Sequence, residues 1–263
     1  MQALVINLER SKSRLEYQKK QLEGLSIPFE RINAIDANKL DDKTYEANAN
    51  HWERPLRRTE VACALSHLSA WERVKRDNNT YLILEDDALL SSHTKLITDA
   101  LVSRTDYDCV NLETRARRKR ITRKKTTLCN GFHLSGLIQD KSGAAAYVLW
   151  PSGAQRLLEW IDKNGIGLTD ATLALGPRWK HGQLVPAAAI QMDCCDFYDL
   201  KTPIQTSSNI NNTPKPVTSK SLFVWRRLKA QIRIATRKLI TIATAENVNL
   251  RPQNITPCAF SNG

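Results

Sequence analysis

The sequence predicts an α/β fold with one main domain, a mostly parallel central sheet and a basic helical tail. Short apolar runs typical of buried strands alternate with stretches in which apolar residues recur at helical spacing. The chain has 263 residues and a hydrophobic fraction of 41%, enough for one large core but short for two. Strands that alternate with helices favour a sheet whose neighbours run in the same direction.

The first quarter of the chain begins with the strand-type run ALVINL. A helix is expected next, because Ser13 and Glu16 fit a capping box and Gly24 lies where a helix would end. The predicted elements are a strand at 3–8, a helix at 13–25, a strand at 29–36 and a loop through residue 58.

The next elements are marked by their first and last residues. Thr59 can cap a helix whose apolar stripe reaches Trp71, and Pro151 opens another helix that Gly165 ends. Pro186 cannot donate a ladder hydrogen bond, so the strand around it is expected near a sheet edge. The remaining predictions are strands at 81–84, 106–113 and 144–150 and a short helix at 169–175.

Two segments that contain no acid account for the net positive charge. Their sixteen cations exceed the net charge of +12 by four, so the rest of the chain has a net charge of −4. Each segment is therefore a candidate for binding a polyanion. The cations are Arg115, Arg117, Arg118, Lys119, Arg120, Arg123, Lys124, Lys125, Lys215, Lys220, Arg226, Arg227, Lys229, Arg233, Arg237 and Lys238.

The composition divides the chain into a main domain at 1–210, a linker at 211–220 and a tail at 221–263. In the tail, a helical apolar stripe is flanked by arginine and lysine. Such a helix over residues 221–243 suits an anionic membrane surface, whereas packing on the main domain or a partner is the alternative. The stripe consists of Trp225, Leu228, Ile232, Ala235, Leu239 and Ile242.

The sequence favours a cytoplasmic location. No apolar run approaches the roughly 18 residues that a membrane-spanning helix needs, and the charged start does not fit a secretion signal. The six cysteines follow no zinc-ligand spacing and are interpreted as reduced thiols.

Three adjacent carboxylates, Glu85, Asp86 and Asp87, follow the apolar run YLIL. In open α/β sheets ligands bind beyond the carboxyl ends of the strands. Side chains alternate along a strand, so Glu85 and Asp87 are expected on one side and Asp86 on the other. A hard divalent cation on a diphosphate would suit this pair. The alternative is a solvated turn in which Asp87 caps the next helix.

Several motifs occur in the order and spacing of one known family. Between residues 3 and 210 the chain contains VINLERSKSR, TEVACALSHLSAW, YLILEDDALL, VNLET, GAAAYVLWPSGAQRLL and LTDATL. It thereby resembles glycosyltransferase family 25, the bacterial lipooligosaccharide galactosyltransferases. The most specific part is the pairing of the ACALSH helix with the EDD strand.

The resemblance implies a GT-A fold, in which a Rossmann-like sheet binds a nucleotide sugar. It further implies an inverting transfer of a hexose, most typically from UDP-galactose, to a lipooligosaccharide or lipopolysaccharide core. Mn²⁺ or Mg²⁺ would neutralise the leaving diphosphate. On this chain Asp87 and Glu85 match the metal ligands, and Asp86 matches a ribose contact or a supporting group.

The remaining site residues follow the same resemblance. The nucleotide should lie after the first strand, where arginine can pair a phosphate or stack on a base. Ser66 and His67 are assigned to the donor side or its support. The residues expected at the nucleotide are Asn7, Arg10 and Arg14.

A carboxylate is expected to take the proton from the attacking hydroxyl. Asp170 is the first choice because it matches the family's short Asp-bearing helix, with helix capping together with Thr169 as its alternative role. Glu113, at the end of the strand CVNLE, is the second.

Two features depart from the usual pattern of that family. Ala146 stands where a glycine more commonly precedes the aromatic residue, and the run at 115–125 is unusually basic. An acceptor that carries phosphates or acidic sugars would suit the basic run.

These observations predict a peripheral enzyme on the inner face of the cytoplasmic membrane. A nucleic-acid-binding protein is an alternative that the basic segments favour, although they lack interleaved aromatic residues and a known motif. A Mg²⁺-dependent phosphohydrolase would share the acidic residues.

Overall fold

A computed structural model of the chain describes residues 1–140, 143–176, 179–204 and 221–258. The helices are α1 (Lys12–Gly24), α2 (Asp42–Ala49), α3 (Arg58–Asp77), α4 (Thr94–Val102), α5 (Pro151–Asn164), α6 (Thr169–Leu175) and α7 (Ser221–Ile240). The strands are β1 (Gln2–Asn7), β2 (Phe29–Asn33), β3 (Tyr81–Glu85), β4 (Ala88–Leu90), β5 (Cys109–Asn111), β6 (Arg118–Cys129), β7 (Phe132–Gln139), β8 (Ala146–Leu149), β9 (His181–Val185), β10 (Ala189–Gln191) and β11 (Ala245–Asn249). The predicted α/β class is confirmed.

Nine strands form one sheet in the order β11-β6-β7-β9-β5-β8-β3-β1-β2, and β4 pairs separately with β10. Five of the eight neighbouring pairs in the large sheet are antiparallel and three are parallel. The prediction of a mostly parallel sheet is therefore wrong. The physical reason is that β8 runs antiparallel between β3 and β5, while β6, β7 and β11 extend the sheet as antiparallel neighbours.

The β6–β7 hairpin depends on the two residues that join it. Asn130 and Gly131 have positive φ angles of 44° and 81°, between the paired residues Cys129 and Phe132. Positive φ at both central residues matches the twist of the flanking strands, which is why Asn-Gly favours a hairpin. The basic run at 115–125 leads into this hairpin, so much of it is strand.

Three neighbouring strands, β3-β1-β2, are parallel to one another and position the functional region. Ile6 of β1 lies opposite Glu85 of β3, so the carboxyl ends of these strands meet at one edge. Both faces are covered: Val5 packs in one buried cluster and Leu4 in another, on opposite sides of the sheet. Burial on both faces explains the continuous apolar runs in β1 and β3.

Several helix starts differ from the prediction. α1 begins at Lys12, so the capping box expected of Ser13 and Glu16 is not formed. α2 lies in the predicted loop, and the Asp41 side chain caps it by accepting a hydrogen bond from the Thr44 backbone N–H at 2.8 Å. α3 begins one residue before Thr59, so Thr59 is inside the helix rather than its N-cap.

Two predictions about strands are also corrected. β9 lies between β7 and β5, not at an edge, because the strand ends at Val185 and the missing N–H of Pro186 affects no ladder hydrogen bond. Asp87 does not cap a helix, because residues Ala88–Leu90 form β4 and the next helix begins at Thr94.

The predicted C-terminal helix is observed as α7. β11 follows it and pairs with β6 at the edge of the main sheet, so residues 245–249 belong to the sheet. The predicted linker at 211–220 lies outside the described residues. Within the described ranges, no helix combines the length and apolar character needed to cross a membrane.

Candidate active site

A cleft opens where the carboxyl end of β1 and the acidic turn after β3 meet the first half of α3. Its volume is about 180 Å³, less than the roughly 300 Å³ at which sites for drug-sized ligands begin, so a ligand of that size would extend beyond the cleft. Of the described residues predicted for the site, Asn7, Glu113 and Asp170 lie outside the lining. Those that line it are Arg10, Arg14, Ser66, His67, Glu85, Asp86 and Asp87.

Asp86 is held from β1 and α1. Its Oδ2 accepts a hydrogen bond from Asn7 Nδ2 at 2.8 Å, and its Oδ1 accepts one from Arg14 Nη1 at 2.9 Å. Asn7 is buried, and its own Oδ1 accepts from Arg31 Nε at 3.1 Å. Asn7 therefore supports Asp86, whereas Arg14 both pairs with Asp86 and lines the cleft.

Two buried glutamines of α1 hold the backbone of the acidic turn, and sequence reasoning missed them. Gln18 Nε2 donates to the carbonyl oxygens of Asp86 and Ala88 at 3.2 and 2.7 Å. Gln21 Oε1 accepts from the Leu90 N–H at 2.9 Å. Their spacing of three residues on one helix face was the available signal.

Asp87 carries the least satisfied carboxylate of the turn. Its Oδ1 is shielded from solvent and has no hydrogen-bond partner among the described residues. Burial, together with the charges of Glu85 and Asp86, raises the pKa of the Asp87 carboxyl. A cation would satisfy both the unpaired oxygen and the excess negative charge.

Glu85 is oriented by a chain of buried hydrogen bonds. His67 Nε2 lies 3.1 Å from Glu85 Oε1, and His67 Nδ1 lies 2.9 Å from the hydroxyl of Tyr147. That hydroxyl accepts from Trp71 Nε1 at 2.8 Å, because an indole can only donate. We therefore assign the hydroxyl of Tyr147 as the donor to His67 Nδ1. The ring proton of His67 is then on Nε2, which donates to Glu85 Oε1. Trp71 thus lies behind His67 in the core.

Glu113 is fully buried just beyond β5. Its Oε2 accepts from the Ala145 N–H at 2.9 Å, and its Oε1 has no hydrogen-bond partner in the part of the chain that the structure describes. Burial, opposed by Lys119 and reinforced by Glu85, raises the pKa of Glu113 to about 8. Glu113 is therefore largely protonated at neutral pH.

Lys119 shows that one cation of the first basic segment is internal. Its Nζ donates to the Glu113 carbonyl oxygen at 2.8 Å and to Gln183 Oε1 at 2.9 Å, and it pairs with Asp140 Oδ2 at 2.6 Å. Lys119 is 1% exposed, whereas its neighbours on β6, Arg118 and Arg120, point to the other face. The alternation of a strand was the missed signal.

Asp170 lies in the first turn of α6, beside the cleft. The link is Thr169, whose Oγ1 lies 3.7 Å from the sulfur of Cys63 in the lining. Asp170 Oδ1 accepts from the Ala171 N–H at 2.7 Å, and the N-cap position is Leu168, so the alternative of capping together with Thr169 is not formed. Burial, opposed by the Ala171 N–H and reinforced by Asp140 and Glu85, raises the pKa of Asp170 to about 6.

Ser66 and Arg10 already have protein partners. Ser66 Oγ donates to the Ala62 carbonyl oxygen at 2.6 Å and accepts from the Ile35 N–H at 2.8 Å, which ties α3 to the segment after β2. Arg10 forms an ion pair with Asp36, and its side chain is still 46% exposed. Ser66 thus supports the cleft wall, while Arg10 retains donors for a ligand.

Two overlapping sets of donor atoms could hold a divalent cation. Glu85 and Asp87 offer carboxylate oxygens, which suit Mg²⁺ or Mn²⁺. Cys63, His67 and Glu85 place sulfur, nitrogen and oxygen atoms within 4.8 Å of one another, a set for a softer ion. In that second set burial raises the pKa of the Cys63 thiol, which disfavours the thiolate. The unpaired oxygen of Asp87 favours the carboxylate set.

Acids at the carboxyl edge of parallel strands, with two arginines in the same cleft, match the place where ligands bind in open α/β sheets. The model of a known family, glycosyltransferase family 25 (LPS biosynthesis protein), matches residues 1–172. The chain belongs to glycosyltransferase family 25, which confirms the resemblance drawn from its motifs.

Individual relatives agree with this assignment. The chain is 26% identical over 196 residues, 71% of its length and 69% of the relative's, to a Haemophilus influenzae protein described as a glycosyltransferase. It is 27% identical to the lipooligosaccharide biosynthesis protein lic2B of Haemophilus influenzae over 58% of this chain and 60% of that protein. It is 26% identical to procollagen galactosyltransferase 1-B of Xenopus laevis over 42% of this chain and 21% of that protein.

Proposed function

We propose that this protein transfers galactose from UDP-galactose to a saccharide of a lipooligosaccharide or lipopolysaccharide core, with inversion at the transferred carbon. The observation that carries the proposal is the acidic turn, where Asp87 has a buried unpaired oxygen in a cleft that also contains Arg10 and Arg14. Family membership supports the reaction class. The names of the relatives support galactose as the sugar and a lipooligosaccharide as the acceptor.

Glu85 and Asp87 are the residues that would hold Mn²⁺ or Mg²⁺ in this proposal. Such a cation would neutralise the negative charge that develops on the leaving diphosphate. His67 keeps Glu85 in place, since its buried ring is itself fixed by Tyr147. Arg10 and Arg14 would bind a phosphate or stack on the base, and Asp86 would keep Arg14 oriented.

Asp170 is proposed as the base. It takes the proton from the acceptor hydroxyl while the oxygen of that hydroxyl attacks the sugar carbon. A base works best when its pKa lies close to the working pH, and the pKa of Asp170 is raised to about 6. Glu113 fits less well, because it is fully buried and its pKa of about 8 keeps it protonated at pH 7.

We further propose that α7 places the enzyme on an anionic membrane. Its predicted apolar stripe faces solvent: Trp225 is 63% and Leu239 70% exposed. The opposite face carries arginines that bind the main domain: Arg226 Nη1 donates to the Trp52 carbonyl oxygen at 3.2 Å, and Arg237 Nη1 donates to that of Ala174 at 3.3 Å. Lys229 and Lys238 flank the exposed stripe, an arrangement that suits an anionic lipid surface.

A panel of UDP-sugars tests the proposed reaction. UDP-galactose, UDP-glucose and UDP-N-acetylgalactosamine are each added with and without Mn²⁺, and the melting temperature and the release of UDP are measured. UDP-galactose should stabilise the fold most, and only when metal is present, because a ligand of the native state raises the melting temperature by mass action. If no UDP-sugar bound in the presence of metal, the proposal would be rejected.

A further inference from the structure

A second cavity, with a volume of about 470 Å³, lies at the β7-β6-β11 edge of the sheet, next to the end of α7. The cleft lies near the opposite edge, at β3-β1-β2. Gln139, Arg120 and Asn247 are direct partners across three neighbouring strands, so they form one row on the same face. The lining consists of Arg117, Arg118, Arg120, Gln139, Lys238 and Asn247.

Four of these six lining residues are cations, and no acid lines the cavity in the described part of the chain. Arg117, Arg118 and Lys238 form no salt bridge with any described residue. Arg120 uses two donors on Thr241, to Oγ1 at 3.2 Å and to the carbonyl oxygen at 3.0 Å. It thereby holds the end of α7 over the cavity, and unpaired positive charge remains for an anion.

The exposed apolar stripe of α7 continues to the part of the helix whose Lys238 lines this cavity. Leu239 follows Lys238 directly and is 70% exposed, and Ile242 lies close by in sequence and is 69% exposed. Cations in a concave site beside exposed apolar side chains match the two parts of an anionic lipid, whose headgroup carries phosphate and whose chains are apolar.

We infer that this cavity is a binding site for the phosphate of an anionic lipid headgroup. The inference rests on the proposed membrane role of α7 and deepens it, because the lipid-binding surface then includes Arg117 and Arg118, which lie about 120 positions before Lys238 in the sequence. Guanidinium groups suit the site because they bind phosphate oxygens in pairs.

A nucleic acid also presents phosphates, but the cavity fits it less well. Proteins that bind single strands combine cations with aromatic residues on which bases stack. None of the described lining residues is aromatic, and the exposed neighbours Leu239 and Ile242 are aliphatic. The apolar continuation is therefore the feature that selects a lipid.

The test compares two variants of the full chain that lose the same charge. The cavity variant is Arg117→Ala/Arg118→Ala/Lys238→Ala, which keeps Arg120 on Thr241. The control variant is Lys19→Ala/Lys75→Ala/Arg76→Ala, which removes three exposed cations from α1 and α3. Flotation measures binding to vesicles of phosphatidylcholine with and without 30% phosphatidylglycerol, and melting temperatures verify that both variants fold.

Each cation near an anionic bilayer contributes about a factor of five to binding. The cavity variant should therefore bind phosphatidylglycerol vesicles on the order of a hundredfold more weakly, and the control variant less than about threefold more weakly. Equal losses in both variants would mean general electrostatic attraction and would overturn the site, as would unchanged binding of the cavity variant.

Two further arms identify the source of the phosphate. Inorganic phosphate at millimolar concentration should leave vesicle binding unchanged, and complete competition by it would assign the cavity to a free anion. A fluorescent oligonucleotide should bind the two variants equally. A loss of oligonucleotide binding confined to the cavity variant, with vesicle binding intact, would assign the cavity to nucleic acid instead.

The proposed transferase activity is separable from this result. Stabilisation by UDP-galactose and Mn²⁺ should be the same in the cavity variant and the unaltered protein, since the cleft and the cavity share no lining residue. Failure of UDP-galactose to bind either protein would reject the proposed reaction and leave the lipid measurement standing.

Discussion

Asp170 and Glu113 are the two carboxylates from which a base can be chosen, and their surroundings differ. Asp170 is partly open to solvent and next to the cleft residue Cys63 through Thr169. Glu113 lies in the interior, with one oxygen on the Ala145 N–H. Burial raises the pKa of both, to about 6 for Asp170 and about 8 for Glu113.

Replacement of these two residues tests the assignment of the base. Asp170→Asn should lower kcat by about a hundredfold or more, because general base catalysis contributes that much. The matched Glu113→Gln should change kcat by less than about threefold. Steady-state kinetics checks this, with circular dichroism to confirm folding. Intact turnover in Asp170→Asn and lost turnover in folded Glu113→Gln would reverse the order.

The raised pKa of Glu113 also predicts how stability depends on pH. Between about pH 4.5 and its folded pKa of about 8, Glu113 is protonated in the folded state and ionised in the unfolded state. The folded state then binds more protons, so the free energy of unfolding falls as pH rises through this window, by at most about 1.4 kcal/mol per pH unit for this group.

Glu113→Gln should therefore flatten the fall in stability between pH 5 and pH 8. Urea denaturation at three pH values measures the slope, and Glu246→Gln on β11 is a control because Glu246 is only partly buried. A slope unchanged by Glu113→Gln and altered by Glu246→Gln would contradict the burial of Glu113.

At the residue scale, the sequence identified the cleft residues better than their supports. Glu85, Asp87 and Arg14 stood out because charged residues directly follow a buried strand or begin a helix, and the structure brings them into one cleft. Tyr147 and Gln18 could not be assigned, because their roles depend on partners 80 and 68 positions away that only the folded chain supplies.

Among the elements, the β6–β7 hairpin offers the clearest test of local backbone geometry. Gly131 has a φ of +81°, and no atom lies within 4 Å of the Cβ that another residue would add. Gly131→Ala should therefore cost about 1 kcal/mol of stability from backbone strain alone.

Gly24→Ala is the matched control, because Gly24 also has open space around its Cβ position but lies in α1. It should be neutral or stabilise the protein by up to about 1 kcal/mol, since alanine favours a helix. Thermal denaturation compares the two variants. A larger loss for Gly24→Ala than for Gly131→Ala would contradict the hairpin geometry.

Substitutions on the two faces of α7 are expected to affect stability differently. Trp225→Ser/Ile232→Ser/Leu239→Ser should leave the melting temperature nearly unchanged, because these side chains are exposed, while vesicle binding falls. Phe223→Ser should lower stability by several kcal/mol, roughly the cost of truncating a buried aromatic residue. Strong destabilisation by the triple substitution would show that the stripe packs on protein.

Continuous apolar runs predicted the strands β1 and β3, which are buried on both faces, and helical periodicity predicted α5. These patterns did not predict strand direction, since β8 has the same buried composition whether it runs parallel or antiparallel to β3. They left open whether the apolar stripe of α7 packs on the main domain: the stripe is exposed, and Arg226 and Arg237 bind backbone carbonyls instead. Those outcomes depend on tertiary contacts.

At the scale of the whole molecule, the net charge is +12, and the cations of the two basic segments fall into two groups. Some cations are structural: Lys119 is buried in the sheet, Arg115 pairs with Asp193, and Arg120 binds Thr241. Others, such as Arg118 and Lys238, line a cavity next to the exposed face of α7. The cations with protein partners are less available to bind a nucleic acid, which weakens the nucleic-acid interpretation of the basic segments.

Asp87 and Glu85 are proposed to bind a nucleoside diphosphate through a divalent cation. Isothermal titration of UDP into the protein with and without Mn²⁺ tests this proposal most directly, in the unaltered chain, in Asp87→Asn and in the control Asp106→Asn, whose carboxylate pairs with Arg104 at the surface. We predict metal-dependent UDP binding in the unaltered chain and the control, and its loss in Asp87→Asn. Equal metal-dependent binding in all three proteins would contradict the account.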